Sequence, residues 1–210
     1  MNKSHGKEEI KNIRTLLFES ETPVRIINFI TLYRTITFPL LVFLVLTDRL
    51  DAFKWLLLAS FTTDAIDGFL ARKFNATSVL GAKLDSIGDD LTILAAVVGL
   101  FVTQFDFIQK ELTFFLILFG LFFIQLILSF SKYKKMSSFH TYLAKTAAVV
   151  TGIFLLTVFF FDRIFYPLFY ASFIITALEL VEETIIIFFL PTWKTNVKGL
   201  YWILKEKVQT

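Results

Sequence analysis

Asp64-Ala65-Ile66-Asp67-Gly68-Phe69-Leu70-Ala71-Arg72, followed after eight residues by Gly81-Ala82-Lys83-Leu84-Asp85-Ser86-Ile87-Gly88-Asp89, decides how this chain is read. The four aspartates stand in a sequence that is 56% hydrophobic, above the roughly 45–50% of soluble domains. At the centre of a membrane span an Asp costs on the order of 2.5–3.5 kcal/mol, so four cost roughly 10 kcal/mol unless something compensates them. Bound cations are the obvious compensation. The i,i+3 spacing of Asp64 and Asp67 and the i,i+4 spacing of Asp85 and Asp89 put each pair on one helical face, giving two carboxylate claws joined by a turn.

On both sides of this stretch the chain falls into apolar runs of roughly 20 residues, enough to cross about 30 Å of hydrocarbon. Six are expected, at about 27–46, 52–74, 84–105, 112–130, 145–161 and 168–190. The expected fold is therefore all-α, an integral membrane bundle of six transmembrane helices over residues 27–190. A cytoplasmic juxtamembrane segment, 1–26, precedes it and a cytoplasmic or interfacial tail, 191–210, follows. Short polar connections near 47–51, 106–111 and 162–167 predict tight helical hairpins, whereas those near 75–83 and 131–144 are longer. In the first segment Ile10, Ile13, Leu16 and Leu17 share a helical face, with Lys7, Lys11 and Arg14 elsewhere. That pattern fits an amphipathic helix on an anionic membrane surface and equally an ordinary solvated leader; no signal-peptide core or cleavage site is present. Trp193, Tyr201 and Trp202 beside lysines mark the tail as an interfacial anchor.

Lys and Arg are distributed unevenly between the two sides of such a bundle. Sixteen fall on one side, including Arg25, Arg72, Lys73, Lys83, Lys132, Lys134, Lys135 and Lys145, against Arg49, Lys54, Lys110 and Arg163 on the other. The positive-inside rule then places both termini, both long loops and the four aspartates at the cytoplasmic face of a cell inner or plasma membrane. The net charge of +3 is accounted for by these juxtamembrane cations, and nucleic acid is not an expected partner.

With no Cys and only His5 and His140, a metal held here is held by oxygen, which favours Mg²⁺, Mn²⁺ or Ca²⁺. Two such ions can clamp a pyrophosphate and neutralise charge developing on a leaving group. Intramembrane acids also line cation pathways, so a pore or transporter is the competing reading. Gly68 and Gly81 each leave room for close approach beside an acid, and Arg72 can pair with a carboxylate or phosphate.

The spacing Asp-x2-Asp-Gly-x2-Ala-Arg-x8-Gly-x3-Asp-x3-Asp resembles the signature of the CDP-alcohol phosphotransferase (phosphatidyltransferase) family at all eight fixed positions. The resemblance implies a six-helix membrane enzyme, usually dimeric, that transfers a substituted phosphate group from a CDP-alcohol to an acceptor hydroxyl and releases CMP. It implies Mg²⁺ or Mn²⁺ in a two-metal site held by Asp64, Asp67, Asp85 and Asp89. Asp89 would also be the catalytic general base, and Asp64, Gly68, Ala71, Arg72 and Gly81 would accommodate the CDP moiety. A general base suits the chemistry, because the attacking hydroxyl must lose its proton.

Asn28-Phe29-Ile30-Thr31-Leu32-Tyr33-Arg34, leading to Pro39, is similar to the corresponding stretch of phosphatidylglycerophosphate synthases and their cardiolipin-synthase relatives. This implies CDP-diacylglycerol as donor, with Asn28 and Thr31 in its site, and glycerol 3-phosphate as preferred acceptor. Inositol phosphate, serine and phosphatidylglycerol are the alternatives. Arg34 inside a span, Lys145 and Lys135 are candidate acceptor-phosphate cations; snorkelling, structural pairing and topology are their plainer roles. Two departures count against glycerol 3-phosphate: Ala144 stands where a Gly-Lys pair is common, and Asp90 follows Asp89 where Lys is common. Glu179, Glu182 and Glu183 are expected to pair with Arg34 or Lys145, to border the acceptor pocket, or to serve structure. His140 is expected to be a loop residue.

Overall fold

The computed structural model describes the backbone of residues 36–73, 79–135, 137, 139–194 and 197–208, and their side chains except those at 64, 65, 67–73, 79–87, 89 and 206–208. The juxtamembrane segment 1–26, with Asn28, Thr31 and Arg34, lies outside the described residues. Among the described residues all regular structure is helical. Helix α1 runs through Ile36–Leu46, followed by α2 (Leu50–Lys73) and α3 (Val79–Thr103). Beyond them come α4 (Phe105–Lys110), α5 (Leu112–Tyr133), α6 (Tyr142–Phe161), α7 (Tyr166–Phe189) and α8 (Leu200–Val208). The chain divides into two compact units, 1–102 and 103–210.

In the first unit, α1 ends because Asp48 adopts a left-handed φ of 57°. The Asp48 N–H then donates to Val45 O and the Arg49 N–H to Leu44 O (2.9 Å), a Schellman closure. Helix α2 begins one residue later, as the short polar connection predicts. Asp51 sits in its first turn and pairs with Lys54 at 2.5 Å. This contact holds the Asp51 carboxyl below its ordinary range, first through the hydrogen bond and then through the charge of Lys54.

Helices α2 and α3 each bury one stripe. On α2 it carries Phe53, Leu57 and Ser60, with Trp55 and Ile66 exposed; on α3 it carries Gly88, Thr92, Ala95 and Ala96, with Asp90, Leu94 and Phe101 exposed. Most hydroxyls on these helices are retired into their own backbone. Thr62 donates to Leu58 O at 2.7 Å, Thr63 to Ala59 O and Ser60 O, and Thr92 to Gly88 O at 2.8 Å. The Ser60 hydroxyl, by contrast, is buried without a hydrogen-bond partner.

In the second unit α7 packs against α5, α6 and α8. Its seam with α6 holds a hydroxyl cluster in which Thr151 Oγ1 lies 2.8 Å from Ser172 Oγ and 3.1 Å from Thr176 Oγ1. At one end Phe107 meets Phe115, Phe154 and Phe169. Gln104 Nε2 donates to Asp162 at 2.7 Å and Lys110 Nζ to the Tyr166 hydroxyl, so the two short polar connections meet there. At the other end Phe139, Ile186, Ile187, Leu190 and Ile203 form a core. The N–H of Val197 donates to Phe139 O at 2.8 Å and that of Tyr142 to Lys198 O. The tail is thereby folded back on the 131–144 connection.

Helices α5 and α6 are long and apolar enough to cross a membrane. On α5 Leu116, Ile117, Phe123, Ile124 and Ile127 are all exposed, a contiguous apolar surface that hydrocarbon satisfies and water does not. Helices coincide with the apolar runs from 52 onward, and of the first run, 27–46, the described residues show Ile36–Leu46; among the described residues only α5 and α6 are long and apolar enough to cross a membrane. Helix α3 also departs from the expected 84–105 span. It starts at Val79 and stops at Thr103, with Gln104 breaking it at φ −130° and ψ 45°.

Candidate functional site

The motif acids occupy the interiors of helices. Asp64 and Asp67 lie in α2, and Asp85 and Asp89 in α3; their side chains, those of Ala71 and Arg72, and the surroundings of Gly68 and Gly81 lie outside what the structure describes. The backbone register nevertheless locates them. At 3.6 residues per turn, positions 64 and 67 fall within about 40° of Ser60, on the stripe that buries Phe53 and Leu57. Positions 85 and 89 fall within about 60° of the buried Thr92, whereas Asp90 is on the opposite side with exposed Leu94 and Phe101. In helical register both pairs of positions thus follow the stripes that carry Ser60 and Thr92.

The donor set fits a hard divalent cation: four carboxylates in two helical pairs, in a chain without Cys. Ser60 adds a polar group one turn before Asp64, and at 1% exposure its hydroxyl is cut off from water. Among the described residues no group of three metal-ligating side chains occurs, and the four motif carboxylates lie outside them.

The acceptor candidates are exposed lysines. Lys145, in the first turn of α6, extends over the Tyr142 ring at 5.5 Å, and Lys135 over the Trp193 ring at 4.8 Å. Lys132 is tied to the end of α7 by donating to Ile187 O at 2.6 Å. His140 is a loop residue with φ 50°.

Arg34, one expected partner of the α7 glutamates, lies outside the described residues, and the contacts described for Glu183 and Glu182 fit the structural role also expected of them. Glu183 is buried and accepts from Gln125 Nε2 of α5 at 2.5 Å, and the same amide reaches Ser137 Oγ. Glu182 Oε1 accepts from the Leu200 N–H at 3.0 Å, capping the start of α8. Gln125 was visible in principle as the lone amide of Phe-Phe-Ile-Gln-Leu-Ile-Leu; the Glu182 cap was not, because its donor is a backbone N–H.

The all-helical fold, with two helices long and apolar enough to cross a bilayer, is that of a helical membrane protein. More specifically, the chain belongs to the CDP-alcohol phosphatidyltransferase family, whose sequence model matches residues 25–185. It is similar to a Saccharomyces cerevisiae CDP-diacylglycerol–inositol 3-phosphatidyltransferase, 47% identical over 47 residues, which are 22% of this chain and 21% of that protein. It is also similar to a Schizosaccharomyces pombe cardiolipin synthase (CMP-forming)/mitochondrial hydrolase fusion protein, 36% identical over 75 residues, 33% of this chain and 13% of that one. The matched stretches thus span about a fifth or less of those relatives. No solved structure matches the chain.

Proposed function

We propose that this protein transfers a phosphatidyl group from CDP-diacylglycerol to an acceptor alcohol, releasing CMP, as a step of phospholipid synthesis. The observation that carries the reading is the eight-position motif, intact, with its acids in register with the buried stripes of α2 and α3. Asp64, Asp67, Asp85 and Asp89 would hold Mg²⁺ or Mn²⁺, which supplies charge neutralisation for the pyrophosphate. Gly68, Ala71, Arg72 and Gly81, with Asn28 and Thr31, accommodate the CDP-alcohol. The acceptor oxygen attacks the phosphorus bearing the diacylglycerol, the bond from that phosphorus to the CMP oxygen breaks, and Asp89 receives the hydroxyl proton.

In this reading residues 27–190 form a six-span domain and the site and both termini face the cytoplasm. The protein works as a homodimer in the cell inner or plasma membrane. Glycerol 3-phosphate is the preferred acceptor, its phosphate met by Lys145, Lys135 and Arg34. The two relatives favour a second reading: one is named for inositol and the other for cardiolipin synthesis, so inositol and phosphatidylglycerol are the competing acceptors. Purified protein incubated with CDP-diacylglycerol, Mg²⁺ or Mn²⁺ and an acceptor panel decides between them by CMP release and lipid product. Asp89→Asn should lose about 10²–10⁴ in turnover, the usual contribution of a general base. Full turnover in that variant, or no product with any acceptor, overturns the proposal.

A further inference from the structure

The C-terminal tail carries chemistry that the transfer reaction does not use. Helix α8 turns Ile203 into the core and leaves Tyr201 66%, Trp202 40% and Leu204 40% exposed. Two contacts fix this orientation. Glu182 caps the Leu200 N–H, and Gly199, at φ 150°, lies so close that an added Cβ would stand 3.1 Å from Glu182 Oε1 and 3.3 Å from the Trp202 ring. The exposed aromatics continue onto α6: Tyr201 pairs with Trp202 and Trp202 with Tyr142, each at 5.5 Å, and Lys145 extends over Tyr142. Tyr142 is the first residue of a helix long and apolar enough to cross a bilayer. With α6 read as a membrane span, this aromatic row falls at the end of the span, the level that Trp and Tyr favour.

Charge identifies what covers the row. Residues 131–145 and 190–205 contain Lys132, Lys134, Lys135, Lys145, Lys194, Lys198 and Lys205 and no Asp or Glu. Lys194, Lys198 and Lys205 are exposed around the row. Basic residues beside interfacial aromatics attract anionic headgroups, each lysine contributing within a Debye length of the surface. We infer that α8 lies in the membrane interface as a fixed ledge, with Tyr201, Trp202 and Tyr142 among the lipid headgroups and Lys194, Lys198 and Lys205 gathering anionic phospholipid. The inference rests on reading α6 as a membrane span.

The test uses full-length protein in lipid nanodiscs, with Trp55→Phe and Trp193→Phe leaving Trp202 as the only indole. Trp202 emission should be quenched more by lipids brominated near the headgroup than by lipids brominated at mid-chain, and little by aqueous acrylamide. At equal mole fraction, brominated phosphatidylglycerol should quench at least about two-fold more than brominated phosphatidylcholine, reflecting local enrichment of the anionic lipid. K194Q/K198Q/K205Q, three changes of exposed side chains, should bring the two lipids to parity. Acrylamide access without lipid quenching overturns the ledge, as does a Trp202 shielded from both quenchers, the outcome if a second copy covers it. Equal quenching by the two lipids before the lysines are changed overturns the anionic preference. A probe at exposed Ile153 of α6 (I153W with the native tryptophans changed to Phe) separates this failure from failure of the span. If mid-chain bromines do not quench that probe, the reading of α6 is wrong; if they do, a negative result at Trp202 refutes the ledge alone.

Discussion

Removing either partner of the Gln125–Glu183 bond tests how α5 is held to α7. Gln125 and Glu183 are 5% and 6% exposed and 2.5 Å apart, so little water reaches either group to replace the other. Hydrogen bonds to charged groups contribute about 1.5–3 kcal/mol in soluble proteins, whereas interhelical bonds in membranes average about 0.6 and reach about 1.7. The carboxylate acceptor and the burial put this bond at the upper end of the membrane range, about 1.5 kcal/mol of coupling. Gln125→Met should cost more, about 2–3 kcal/mol, because the same amide also reaches Ser137 Oγ. Replacing both partners with apolar groups removes the donor and the acceptor together, so Gln125→Met/Glu183→Met should be less destabilised than the two single changes summed. Equilibrium unfolding of the four proteins by SDS in mixed micelles supplies the cycle. If the double variant equals the sum within about 0.3–0.5 kcal/mol, the additive limit, the bond does not couple the helices and the reasoning fails.

Gly199→Ala should destabilise by about 1–3 kcal/mol, since only glycine takes its φ without strain and the added methyl crowds Glu182; unchanged unfolding and unchanged Trp202 emission would contradict this. Ser60→Ala removes a buried hydroxyl with no partner and should stabilise by about 1 kcal/mol in the same unfolding assay; a loss of CMP release would instead give that hydroxyl a role in the working site. The Asp51 carboxyl is held below its ordinary 3.8 by Lys54, so its contribution to stability is present above that value and lost as pH falls through the lower folded one. Lys54→Met should move its titration, followed by carbonyl NMR, up toward 3.8. An unmoved midpoint would show that the pair seen at 2.5 Å is not maintained.

Helix positions were legible because apolar runs long enough to span a bilayer have few alternatives to helix, and α5 and α6 lie within a few residues of the expected ends. The start of α3 was not. Lys83, Asp85 and Asp89 lower the hydropathy of its first turns, yet backbone hydrogen bonding is indifferent to that polarity and the helix begins at Val79. The helical setting of the acid pairs was legible from their spacing, and both pairs do fall within helices. The α7 glutamates were legible as acids in need of partners, with a structural role among the expectations. Among the described residues a side-chain amide in α5 bonds Glu183 and a backbone N–H at α8 bonds one oxygen of Glu182. Neither donor carries a formal charge, so no count of charges finds it.

The register of α3 also bears on Asp90, one of the two departures that count against the glycerol 3-phosphate reading. Adjacent helical residues diverge by about 100°, and that rotation carries Asp90 away from the stripe shared by Asp85, Asp89 and Thr92 to the face of exposed Leu94 and Phe101. A carboxylate there does not add to the donor set, and a lysine there would not subtract from it. Asp90 therefore says little about the proposed cation site. In the proposed reading, acceptor choice turns on Lys145 at the start of α6, where Ala144 precedes it in place of glycine and the lysine itself extends over the Tyr142 ring. The acceptor panel therefore discriminates best between glycerol 3-phosphate, which brings a phosphate to meet such cations, and inositol, which does not.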